Sequence, residues 1–139
     1  MREELRQRLV KEYRYAVTKM QETPEPAKKL FYFSVFFGEA TRILNWEWDR
    51  DLVLIYTITQ HVHTQITATT QTTGLLSLPV DWANVFEKLT QAASDLADYF
   101  EKVRNGDNRE ELYQILGRLA EIAYSISGNG SYLHEKGTF

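Results

Sequence analysis

The chain has 139 residues, a formal net charge of −3 at neutral pH, 43% hydrophobic and 25% charged residues, and no cysteine. That length suits a single domain with a core of its own, and the balance of charge and hydrophobicity argues against wholesale disorder. The absence of thiols excludes disulfides, thiolate metal sites and a cysteine nucleophile, and it fits a reducing, cytoplasmic compartment.

The first expected helix covers residues 2–22, where Leu5, Leu9, Tyr13, Ala16, Val17 and Met20 recur at helical spacing and form one apolar stripe. Arg6, Arg8, Lys11, Arg14 and Lys19 fall outside that stripe. Thr23-Pro24-Glu25-Pro26 ends this helix and opens the next, because a proline is tolerated only in a first turn. The second helix runs to Leu44 and contains LFYFSVFF, residues 30–37, in which five of eight side chains are aromatic. This block is apolar on every face, so neighbours are expected to wrap it. Gly38 beside Ala40 offers either a close approach to another helix or room for the bulky rings.

The connector that follows is Asn45-Trp46-Glu47-Trp48-Asp49-Arg50-Asp51. Asp49 has the chemistry of an N-cap, with Trp48 placed to staple onto Val53. Residues 52–73 are ambiguous. Leu54, Tyr56, Ile58, Val62 and Ile66 alternate as in a strand, while Leu52, Ile55, Thr59, Val62, Ile66 and Thr69 share one helical stripe. Length favours the helix, since about 20 residues is ordinary for a helix and exceptional for a strand, and no partner strand is evident. Gly74 is expected to end it, with Leu75-Leu76-Ser77-Leu78-Pro79-Val80 as an apolar loop over the bundle.

Residues 81–104 give the clearest amphipathic pattern, through Trp82, Val85, Phe86, Leu89, Ala92, Ala93, Leu96, Phe100 and Val103, closed by Asn105-Gly106. The last helix opens at Asp107 or Asn108, each with a glutamate three positions later, and its stripe is Leu112, Ile115, Leu116, Leu119, Ile122, Ala123 and Ile126. Gly128-Asn129-Gly130 stops it. The resulting expectation is an all-α bundle of about five mostly antiparallel helices around the aromatic helix at residues 30–44. Residues 1–130 would form the single domain and 131–139 a short mobile tail. No apolar stretch reaches the roughly 18 residues of a membrane span, and the chain opens with a charged run rather than a secretory segment.

Three groups have side chains suited to chemistry. His61-Val62-His63 would present two imidazoles to one metal on a strand, but on a helix the pair is separated by about 200° and cannot chelate together. Glu39 stands alone in an apolar helix and needs a partner; an ion pair with Arg42 is favoured over a site shared with Tyr56 and His61. Trp46, Trp48 and Arg50 have the composition of an interface anchor, with capping of the core end as the bland alternative.

Residues 1–29 carry eight Lys/Arg against five Glu, whereas the rest carries eight against fourteen Asp/Glu. Arg8, Lys11 and Arg14, with Tyr15, could meet a phosphate backbone, but pairing of this face with the acidic helices at 81–104 and 107–126 is favoured. Phosphate-binding glycine loops, HExxH and GxSxG are absent, and Glu22 and Glu25 straddle Pro24 rather than forming a helical carboxylate pair.

These observations lead to the expectation of a non-enzymatic scaffold or adaptor working through protein–protein association, as a homo-oligomer or with a protein partner. No cofactor is expected. The alternatives are a ligand or metal site at Glu39, His61 and His63, or weak nucleic-acid binding through Arg8, Lys11 and Arg14.

Overall fold

A computed structural model describes residues 1–76, 80–102 and 108–126, with the backbone alone for 71–76. Among these residues the secondary structure is entirely helical: α1 Glu3–Glu22, α2 Pro26–Phe33, α3 Val35–Leu44, α4 Arg50–Leu76, α5 Trp82–Lys102 and α6 Arg109–Ile126. α2 and α3 belong to one helical run. Ser34 keeps right-handed helical angles (φ −60°, ψ −18°), and its N–H reaches both the Leu30 and Phe31 carbonyls at 3.2 Å, a tightened turn. Five helical rods therefore make the bundle.

The rods pack in the cyclic order α1, α2–α3, α4, α6, α5 and back to α1, with a smaller contact between α2 and α5. Ion pairs fix the directions. Arg2 at the start of α1 meets Glu47 just beyond α3, and Arg14 of α1 meets Asp98 and Glu101 near the end of α5. Arg109 at the start of α6 meets Asp51 at the start of α4, so those two helices run parallel while successive helices run antiparallel.

The interior is built from the stripes that the sequence spells out. Leu9, Tyr13, Ala16, Val17 and Met20 of α1 are buried, as are Val85, Phe86, Leu89, Ala92, Ala93, Leu96 and Phe100 of α5, and every residue of the α6 stripe. Each large side chain removed from water contributes about 1.5–3 kcal/mol, which is what holds short-looped helices together. α4 settles the helix–strand ambiguity. Leu52, Ile55, Thr59, Val62, Ile66 and Thr69 are all buried, while Leu54, Tyr56 and Ile58 are only partly so. The threonines suit the helix because their hydroxyls donate back along it: Thr57 to the Val53 carbonyl, Thr59 to Ile55 and Thr67 to His63, at 2.8, 2.5 and 2.9 Å.

Several local expectations are corrected. α4 continues past Gly74 to Leu76, so Leu75 and Leu76 are helical rather than loop; Ser77, Leu78 and Pro79 lie outside the described residues. The aromatic block is not wrapped on every side. Phe33 and Phe36 are fully buried between α1 and α4, but Phe31 is 67% exposed, because only one face of the rod meets its neighbours. Gly38 is solvent-exposed, and a Cβ there would meet nothing within 4 Å, so it serves neither a close helix approach nor the rings beside it. Arg6, read as outside the apolar stripe, is buried; its guanidinium bonds Glu3 and the Phe100 carbonyl at the end of α5.

At the start of α6, Asn108 takes φ 57°, and its amide donates to the Glu111 carboxylate at 2.7 Å, a variant of the expected reciprocal cap. Asp107, Arg104, Val103, the Asn105-Gly106 turn, Gly128 to Gly130 and the tail at 131–139 lie outside the described residues. No helix among the described residues is long and apolar enough to cross a membrane.

Candidate functional site

The α3–α4 corner is built by local hydrogen bonding. At the end of α3, the Trp46 and Glu47 N–H groups both return to the Ile43 carbonyl, at 2.8 and 3.0 Å. Asp49 then caps α4: its Oδ1 accepts from the Leu52 N–H at 3.0 Å, the role its position implied. Glu47 is held by Arg2, whose backbone N–H and Nε donate to its two carboxylate oxygens at 2.8 and 3.2 Å. The Met1 amino group lies 3.4 Å from Asp49.

The result is a connector fixed at both ends whose two largest side chains point outward. Trp46 is 73% exposed and Trp48 77%. Capping of the core end by these rings is therefore ruled out, and Trp48 does not staple onto Val53. Leu52, in the first turn of α4, is fully buried, and Met1 packs against the core. Arg50, one residue past the cap, is also exposed.

Comparison with known proteins gives no match: no family model, curated protein or solved structure is significantly similar to this chain. The functional reading rests on the geometry itself.

The other sequence-level candidates are dispersed. Glu39 is buried and bound in bidentate fashion by Arg42, whose Nε and Nη2 donate to its two oxygens at 2.7 and 2.9 Å. This is the structural ion pair; it also raises the Arg42 guanidinium above its ordinary pKa. His61 and His63 both sit on α4 and diverge. His61 is exposed, whereas His63 is partly buried with its ring edge-on to Phe37 at 5.2 Å, and burial lowers its pKa. A shared chelate by this pair is excluded by the helix, and among the described residues no group of three or more His, Cys, Asp or Glu is placed to hold a metal ion.

Of the three basic residues on α1, Arg14 is committed to Asp98 at 2.5 Å and to Glu101, which is the expected pairing with an acidic helix inside the chain. Arg8 and Lys11 remain exposed.

The structure also shows a cleft that no sequence pattern announces. It occupies about 630 Å³ between the α1–α2 turn and the start of α5, at the opposite end of the bundle from Trp46 and Trp48. Pro24, Pro26, Trp82 and Phe86 line it, with Lys29 and Glu87. The two prolines were legible as a helix break and Trp82 as an amphipathic residue. Their meeting depends on α1 and α5 running antiparallel, which no local pattern encodes.

Proposed function

We propose that this protein is a non-enzymatic helical scaffold that works by protein–protein association through the α3–α4 corner, with a second copy of itself as the partner. The observation that carries this reading is the exposure of Trp46 and Trp48 on a connector whose backbone is already fixed. Rigid aromatic side chains dominate binding energy because they bury large area with little loss of conformational freedom.

The corner is also self-complementary. A two-fold contact sets the same patch against itself, so it needs both members of each favourable pair. Trp46 and Trp48 supply π faces and Arg50 supplies a cation, which can meet across a two-fold axis. Glu47 is already paired with Arg2, and the Asp49 carboxylate is used as the cap, so two acidic corners brought together do not confront each other unpaired. Alanine at Trp46 and Trp48 is expected to abolish self-association while leaving the helical content and melting temperature unchanged, because neither ring contributes to the core. Sedimentation equilibrium of both proteins tests this, with circular dichroism as the control for folding.

A further inference from the structure

The cleft at the far end of the bundle has features independent of the Trp46–Trp48 corner. Its volume of about 630 Å³ lies within the range of small-molecule sites. One wall, from the α1–α2 turn, carries Pro24 and Pro26; the other, from α5, carries Trp82 and Phe86, with ring centroids 6.2 Å apart. Phe86 is 5% exposed and Trp82 partly buried, so the rings form a preformed apolar floor.

Charge distinguishes the two walls. Lys29 comes from α2, and its ammonium donates to the Met20 carbonyl at 2.5 Å, near the C-terminal end of α1. That bond uses one of its three donors and orients the group. Glu87 comes from α5, one residue after Phe86. Among the described residues, neither Lys29 nor Glu87 takes part in an ion pair. The cleft thus carries one cation and one anion with no ion-pair partner among the described residues, each on a different wall, together with the aromatic surface of Trp82 and Phe86. A simple anion would meet Glu87 unfavourably and a simple cation would meet Lys29. A small zwitterion satisfies both.

We infer that this cleft binds an amino-acid-like zwitterion with a large apolar side chain. Its carboxylate would lie on Lys29, its ammonium on Glu87 and the face of Trp82, and its side chain against Phe86 and the prolines.

Selective ¹⁵N-tryptophan labelling of the full chain supplies the readout, since the three tryptophans give three indole signals and Trp82→Phe identifies the relevant one. L-Phenylalanine should shift the Trp82 signal saturably. N-acetyl-L-phenylalanine, which lacks the ammonium, and L-phenylalanine amide, which lacks the carboxylate, should each bind about tenfold more weakly. Lys29→Gln should erase the preference over the amide, and Glu87→Gln the preference over the acetyl derivative. Glu87 is exposed, so its variant folds even if replacement of Lys29 disturbs the turn. Absence of a saturable Trp82 shift up to about 10 mM, the lower end of weak specific affinity, overturns the inference. So do equal affinities for all three compounds, or a preference over the acetyl derivative that survives Glu87→Gln.

Discussion

The Tyr13 hydroxyl on α1 donates to the Phe36 carbonyl on α3 at 2.9 Å, and both residues are fully buried. Their rings lie 4.2 Å apart, and Phe100 of α5 meets the Tyr13 ring edge-on at 6.0 Å. One tyrosine thus joins three helices, pairing the aromatic block with the core through a polar contact as well as through packing.

Burial, and then the nearby Glu39 carboxylate, push the Tyr13 pKa well above its ordinary value. The sign of the linkage follows. The folded state holds its proton more tightly than the unfolded chain, so this contribution is complete below the unfolded pKa of about 10 and is lost as pH rises above it. Wild-type stability should fall above pH 10 more steeply than that of Tyr13→Phe, by up to about 1.4 kcal/mol per pH unit. Urea denaturation of both proteins between pH 8 and 11 measures the difference; parallel curves would show that Tyr13 does not titrate on unfolding. At neutral pH, Tyr13→Phe should cost about 1–2 kcal/mol for the lost hydrogen bond.

Arg42→Ala leaves the buried Glu39 carboxylate without its two charge-assisted bonds. A loss of about 1–3 kcal/mol is expected, moderated by the partial exposure of Arg42. Adding Glu39→Gln to that variant should restore part of it, since the buried charge is removed. Chemical denaturation of the single and double variants checks both values, and a double variant weaker than Arg42→Ala would mean that the charge itself is not the destabilising element.

His63 provides the acidic counterpart. Burial lowers its pKa, so the folded state binds a proton less readily than the unfolded chain does. Stability from this group is present above the unfolded pKa of about 6.5 and declines as pH falls below it. The melting temperature should drop between pH 7.5 and pH 5 by more in the wild type than in His63→Gln. An identical drop in both would assign the acid sensitivity to other groups.

Much of the fold is legible in the sequence where one face of a helix meets the core. The α6 stripe from Leu112 to Ile126 and the α4 stripe from Leu52 to Thr69 are buried residue for residue, because a 3.6-residue period maps directly onto burial. Legibility fails where packing is decided by a partner far along the chain. Nothing local shows that Arg6 reaches the Phe100 carbonyl, or that the Trp46 and Trp48 rings stand out from the core end rather than cap it. The Asp49 cap and the Glu39–Arg42 pair were readable because each spans only three residues. The cleft was not readable, because Lys29 and Glu87 are 58 positions apart in the sequence.

The most direct test of the proposed scaffold is sedimentation equilibrium of the wild type and of Trp46→Ala/Trp48→Ala, from about 5 to 200 μM, a span that covers micromolar dissociation constants. The α3–α4 corner predicts a wild-type dimer that dissociates on dilution and a doubly substituted chain that stays monomeric with an unchanged melting curve. A wild type that is monomeric throughout, or a variant that dimerises as well as the wild type, would contradict it.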